Sequence, residues 1–239
     1  MIKIENVTKI FGKDFKAVDN LSLNIEEGKI YGFLGPNGAG KTTTLKMLTG
    51  ILAPEEGRVE INGYNIITNP NEAKMEFAFV SDDPDMFLKL KGIEYLIFIG
   101  KVYKVDEITL KERIFKYAKV FEMETVLNDR IESYSHGMRQ KINVIGALIH
   151  NPKIWILDEP LTGLDPKSSH TLKQMMREHA DNGNIVLFST HVLEVAEKIC
   201  DHVFIINKGK IIFDGSLEKL KDNKDDSLEG IFLELVDNE

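Results

Sequence analysis

Eight consecutive residues, Gly35-Pro36-Asn37-Gly38-Ala39-Gly40-Lys41-Thr42, follow the spacing Gly, four residues, Gly-Lys-Ser/Thr. Glycines at these positions let the backbone curl so that successive N–H groups point inward at phosphate oxygens. Lys41 would reach the β- and γ-phosphates as a point charge, and Thr42 would place its hydroxyl on Mg²⁺. Residues 30–34, Ile-Tyr-Gly-Phe-Leu, read as a short buried strand before the loop. Residues 43–48 read as a helix after it, starting at Thr43 and lending its N-terminal dipole to the anion site. With glycine at roughly 7% of residues, the bare pattern arises by chance in a chain this long on the order of one time in a hundred. The competing reading is a glycine-rich turn between strand and helix. The strand-loop-helix context favours a nucleotide phosphate site over that turn.

A second element complements the loop. Ile154-Trp155-Ile156-Leu157 is an apolar strand that ends in two carboxylates, Asp158 and Glu159. In a doubly wound sheet, that end of a strand faces the ligand crevice. Asp158 is placed to hold Mg²⁺ through water, and Glu159 to orient or deprotonate an attacking water. Two acidic residues capping a strand before Pro160 is the plainer alternative; the phosphate loop elsewhere in the chain argues against it. His191 follows the strand at 185–189, so it projects from the same sheet edge towards the γ-phosphate. Alone, a histidine there reads as a cap or a packing residue.

These groups require a sheet to hold them. Residues 4–7, 17–25, 30–34 and 58–61 are strand candidates, with turn signals at Glu26-Glu27-Gly28-Lys29 and Asn62-Gly63. Between about 92 and 127 apolar residues recur at helical spacing, as in Ile93, Leu96, Ile97 and Gly100. From 154 onward, strands at 154–157, 185–189 and 203–207 alternate with helices at 167–181 and 192–199. That alternation predicts an α/β fold with a parallel sheet and helical crossovers. The helical middle reads as a lobe inserted between the phosphate loop and the later strands. Residues 221–226 read as a polar, charged linker, and 228–236 as a small amphipathic helix.

The chain has 239 residues, enough for one large domain and a substantial core. Its formal charge of -8 argues against a nucleic-acid surface. The single cysteine, Cys200, precludes an internal disulfide, fits a reducing cytoplasm and reads as a packing residue. The start, Met1-Ile2-Lys3-Ile4-Glu5, alternates like a strand and shows no signal peptide. No apolar run is long enough to span a bilayer, so work at a membrane calls for another chain to supply the span.

The motifs together resemble the ATP-binding subunit of an ATP-binding-cassette (ABC) transporter, and the resemblance extends from Val7 to about Gly215. Tyr134-Ser135-His136-Gly137-Met138-Arg139-Gln140 is similar to the family signature, and Leu161-Thr162-Gly163-Leu164-Asp165 to the loop that follows the catalytic carboxylate. Phe11 matches the aromatic that stacks on adenine, Val18 the small apolar residue beside it, and His191 the switch histidine. The resemblance implies a P-loop NTPase (RecA-like) core with a mainly parallel sheet. An N-terminal antiparallel β subdomain and a helical subdomain inserted at about 85–150 would complete a domain spanning 1–220, with a short linker and helix at 221–239. Further implications are ATP and Mg²⁺ as cofactors, hydrolysis served by Lys41, Glu159 and His191, and Mg²⁺ held by Thr42, Asp82 and Asp158. Gly35, Pro36, Asn37, Gly38, Ala39, Gly40, Lys41, Thr42 and Thr43 would bind the nucleotide. The helix after Ser135 offers exposed N–H groups and a hydroxyl, a second anion site. The resemblance implies that Ser135 and Gly137 close on ATP held by the loop of another subunit, identical or different, so that ATP bridges a head-to-tail pair.

Two positions depart from the family pattern. His136 stands where glycine is usual; a positive φ there would strain it, and any other backbone leaves its ring to contact nucleotide or partner. Asp82 stands where Gln or Glu is usual, at the loop that senses Mg²⁺ and the membrane partner. It is a shorter ligand, and Asp82-Asp83 before Pro84 also reads as a plain turn. Apolar residues such as Met86 and Phe87 then line an implied groove for a helix of a transmembrane permease, and at least one of them is expected to be exposed. The signature Ser-x-Gly-Met-Arg-Gln, the acidic residues at 82–83 and the tail 227–234 resemble two-component exporters. The expected role is an ATPase on the inner face of the cell membrane that powers a separate permease. An importer ATPase or a soluble cluster-assembly ATPase would carry the same motifs; the stable partner separates them. A phosphate-binding regulator without turnover is disfavoured because both Glu159 and His191 are present.

Overall fold

A computed structural model of the chain describes residues 1–221 and 228–237. From the N-terminus the elements are β1 (Ile2–Phe11), β2 (Phe15–Ile25), β3 (Lys29–Leu34), α1 (Lys41–Leu48), β4 (Glu56–Ile61), β5 (Tyr64–Asn65), α2 (Pro70–Met75) and β6 (Phe77–Val80). The helical stretch follows, with α3 (Gly92–Val102), α4 (Glu107–Val120), a 3₁₀ turn (Ile131–Ser133) and α5 (His136–Leu148). Strands and helices then alternate: β7 (Ile154–Asp158), α6 (Pro166–Asp181), β8 (Ile185–Thr190), α7 (Leu193–Ile199) and β9 (His202–Asn207). The chain ends with β10 (Lys210–Ser216), α8 (Leu217–Lys221) and α9 (Leu228–Asp237).

Two sheets divide the strands. An antiparallel sheet has the order β2-β1-β4-β5, and a six-stranded sheet the order β10-β9-β3-β8-β7-β6. In the second, every neighbouring pair is parallel except β9 with β10. The fold is that of a P-loop NTPase with an antiparallel β subdomain, as the sequence implied.

The central strands are apolar on both faces, and their two-residue period sorts them between two cores. Ile154 and Ile156 of β7, Ile185 and Leu187 of β8, and Phe204 and Ile206 of β9 join α1 and the antiparallel sheet in one cluster. Their alternates Trp155, Leu157, Val186, Phe188, Val203 and Ile205 face α3 to α7 in the other. The parallel sheet is thereby sealed on both sides, and its ligand-accessible edge is the row of strand C-termini. Each sequence-expected strand and helix is present, to within a few residues at the ends.

The elements with no sequence expectation are β5, β6, β10, α2, α8 and the 3₁₀ turn. β6 is only four residues, Phe-Ala-Phe-Val, too short for a period to show. β10 is joined to β9 through Lys208 and Gly209, both at positive φ (44 and 80), a two-residue turn that closes an antiparallel hairpin. α2 is a short helix with proline at its first position. The linker expected at 221–226 lies outside the described residues except for Lys221, which closes α8, and the helix expected at 228–236 is α9. Cys200 is buried, as expected for packing; its Sγ lies 2.7 Å from where a methyl on Gly32 would stand.

Candidate active site

The loop between β3 and α1 is the floor of the site. Gly38 and Gly40 take φ of 81 and 111, conformations open to glycine. Gly40 also lies so close to β2 that an added methyl would come 2.5 Å from the Ala17 carbonyl oxygen. No side chain caps the N-terminus of α1, so its first N–H groups are available to an anion. Lys41 Nζ folds back and donates to the carbonyl oxygens of Gly35 at 2.7 Å and Pro36 at 3.1 Å. Burial pushes its ammonium below the ordinary lysine range, and the nearby carboxylates of Glu159 and Asp158 pull the other way.

The acidic pair comes from β7, and β8 holds it in place. Asp158 is fully buried, pairs in register with Ser189 across the two strands, and accepts the Ser189 hydroxyl at 2.5 Å. Burial raises its carboxyl above the usual range, opposed by the hydroxyls of Ser189 and Thr42. Its second oxygen, Oδ2, is buried without a hydrogen-bond partner. Glu159 takes φ 47, a left-handed conformation that costs a non-glycine residue of order 1–3 kcal/mol. It is held there from both ends: its N–H donates to Ser189 Oγ at 2.9 Å, and its Oε1 lies 3.0 Å from His191 Nδ1.

These parts meet at one cleft of ≈ 320 Å³. Lys41, Thr42 and Thr43 line it with Asn37, Gly38 and Gly40, and Glu159, Asp82, Phe11, Phe15 and Ala17 complete the lining. Gly35, Pro36 and Ala39 lie behind this wall; Pro36 accepts from Ala39 N–H as well as from Lys41. Val18 is fully buried and off the wall, behind Gly40, where Ala17 faces the cleft instead. His191 stands on the far side of Glu159, in an adjoining depression. Asp82 follows β6, and its Oδ1 accepts the Ser81 hydroxyl at 3.1 Å.

A divalent cation fits these donors. The orphaned Oδ2 of Asp158 is a buried hard oxygen, and Thr42 and Asp82, which both act on that carboxyl, line the cleft. Among the described residues no group of three or more His, Cys, Asp and Glu side chains forms a metal cage. Few protein ligands suit Mg²⁺, which keeps its waters and shares phosphate oxygens, better than a metal needing a full protein shell.

Ser135 and Gly137 are not on this wall. Ser135 caps α5 by accepting Met138 N–H at 3.3 Å. His136 is the first residue of that helix and has no positive φ, so the histidine is unstrained where the family prefers glycine. Met86 and Phe87 are exposed at 45% and 42%, so the expected exposure of at least one of them is met. Sequence reasoning missed Phe15, Ala17 and Ser189. Phe15 is the cross-strand partner of Phe11, a relation that only the β1–β2 register reveals. Ser189 is the one residue with a hydroxyl directly opposite Asp158, and its signal was a serine at the end of an otherwise apolar strand.

A model of the family described as ABC transporter matches residues 18–162. The ABC transporter ATP-binding protein NatA of Bacillus subtilis is 35% identical over 92% of this chain and 91% of its own length. The Nod factor export ATP-binding protein I of Cupriavidus metallidurans is 34% identical, over 94% of this chain and 74% of its own. Among solved structures, an ATP-binding subunit of an ABC transporter superposes with a TM-score of 0.93 at 28% identity, covering 98% of this chain and 99% of its own. A dimeric post-hydrolysis state of the ATP-binding cassette MJ0796, bound to ADP and Pi, superposes with a TM-score of 0.81 at 25% identity, covering 91% of this chain and 99% of its own.

Proposed function

The chain belongs to the ABC transporter family of ATP-binding, ATP-hydrolysing proteins, and we propose that it powers a separate transmembrane permease, in the direction of export. The observation that carries the reading is the cleft itself. It gathers a phosphate loop with Lys41 and Thr42, a carboxylate at Glu159 and an aromatic wall at Phe11, but not the second anion site at Ser135 and Gly137. One chain therefore holds two halves that do not meet, and the dimeric cassette bound to ADP and Pi supports their meeting across two copies.

In this reading Lys41 and the N–H groups of the loop and of α1 bind the phosphates, and Phe11 stacks on the base. Glu159, with His191 at 3.0 Å, accepts the proton of the attacking water at Oε1 or Oε2. Thr42, Asp158 and Asp82 would hold Mg²⁺, which would supply positive charge to offset that developing on the phosphates. Ser135 and Gly137 of a second subunit cover the γ-phosphate and exclude water. Residues 1–220 are the ATPase domain, with the helical subdomain at about 85–150 as its permease-facing part.

Among the described residues no helix is long and apolar enough to cross a membrane; the likeness to ATP-binding subunits of ABC transporters supports a peripheral position on the inner face of the cell membrane. The relative named for Nod factor export supports the export direction. Affinity purification of the tagged chain from detergent-solubilised membranes tests the reading. Recovery of a multi-span membrane protein in stable association is expected; a soluble partner alone would point to a non-transport ATPase.

A further inference from the structure

The first two turns of α5 are laced to the segment that follows Glu159. Gln140 Nε2 donates to the Pro160 carbonyl at 3.4 Å at the near end, and Lys141 pairs with Asp165 at 2.7 Å at the far end. Between these points Gly137 and Gly163 interlock: a methyl on Gly137 would stand 2.6 Å from the Gly163 carbonyl oxygen. The open face of Gly163 is covered by His136. A methyl there would come 2.3 Å from His136 Cδ2 and 2.8 Å from Nε2, well inside contact distance, so the imidazole packs directly on the glycine.

We propose that His136 is a positioning residue for hydrolysis, its ring bracing the loop at 160–165 against the first turn of α5 and so holding Glu159 in place. The proposal rests on the reading of Glu159 as the base. Glu159 sits in a left-handed conformation, which persists only where the surrounding structure enforces it. The loop after it has few bonds of its own: Thr162 N–H to Glu159 O at 3.1 Å and Leu164 N–H to Leu161 O at 3.3 Å. A glycine at 136, the family's usual residue, would remove the ring from Gly163 and leave the Gly137 backbone as its neighbour from α5. The histidine thus compensates, on the same chain, for a loop that carries the base of one site beside the signature turn that closes another.

Two variants and two readouts test this. His136→Gly removes the ring, and His136→Phe keeps a ring of similar reach without its nitrogens. Steady-state ATPase kinetics give kcat and KM, and hydrogen exchange on the nucleotide-free chain reports the amides of 162–165. His136→Gly is expected to lower kcat about three- to tenfold with KM little changed, because a small displacement of a catalytic group is costly, and to speed exchange across 162–165. His136→Phe is expected to restore both. An unchanged kcat or unchanged exchange in His136→Gly overturns the proposal. So does a His136→Phe protein that behaves like His136→Gly, which would assign the role to a ring nitrogen touching nucleotide. Absence of ATPase activity in the unmodified chain would refute the functional reading instead, and exchange alone then decides the bracing.

Discussion

Replacing Lys41 by alanine separates nucleotide binding from folding, and the structure sets the size of the effect. The ammonium donates to two neutral carbonyl oxygens, at 2.7 and 3.1 Å. Phosphate oxygens would replace these with charged acceptors. A hydrogen bond involving an ionised partner contributes about 1.5–3 kcal/mol, against about 0.5–1.5 kcal/mol for a neutral one. The gain on binding is therefore about 1–1.5 kcal/mol per bond, or about 2–3 kcal/mol for the pair. That corresponds to roughly 30- to 140-fold weaker ATP binding in Lys41→Ala. Folding should change far less, because the lost bonds are offset by removal of a charge that burial already disfavours. Titration with a fluorescent ATP analogue gives the affinity, and urea denaturation gives the stability. A dissociation constant within about threefold of the parent, well below the worked range, would refute the assignment of Lys41 to phosphate.

Glu159→Gln is expected to retain ATP affinity while kcat falls by about 10²- to 10⁴-fold, the usual contribution of a general base; steady-state phosphate release measures it, and unaltered turnover excludes Glu159 from that role. Stability should also fall on mild acidification. Burial lowers the pKa of His150 and of His179 to about 4, whereas the unfolded chain titrates near the ordinary value of about 6.5. The unfolded state therefore binds protons first, and stability declines as pH falls from about 6.5 towards 4. His150→Phe, which keeps the stack on Tyr103 at 3.6 Å between ring centroids, should flatten that decline; an unchanged slope in urea midpoint against pH would exclude the histidine.

Most of the site was legible because its parts are contiguous in sequence and each part's chemistry is tied to a backbone signal. Gly35 to Thr43 is a loop bounded by an apolar strand and a helix, and Asp158-Glu159 closes an apolar strand, so type and spacing alone placed both at a sheet edge. What escaped was lateral. Phe15 faces the cleft because β1 and β2 pair Phe11 with Phe15, and Ser189 reaches Asp158 because β7 and β8 are in register. Neither register follows from one strand read alone. Val18 matched the family residue beside adenine, yet the pleat turns it into the core and presents Ala17. β6 escaped because four apolar residues carry no period, and β10 because its turn uses Lys208-Gly209 rather than the stronger asparagine-glycine signal.

The central claim is that ATP joins two copies, the phosphate loop of one facing Ser135 and Gly137 of the other. Light scattering of Glu159→Gln after size-exclusion chromatography, with and without MgATP, tests it most directly. The account predicts a monomer near 27.1 kDa without nucleotide and twice that mass with MgATP. A monomer under both conditions, or a dimer that needs no nucleotide, would contradict it.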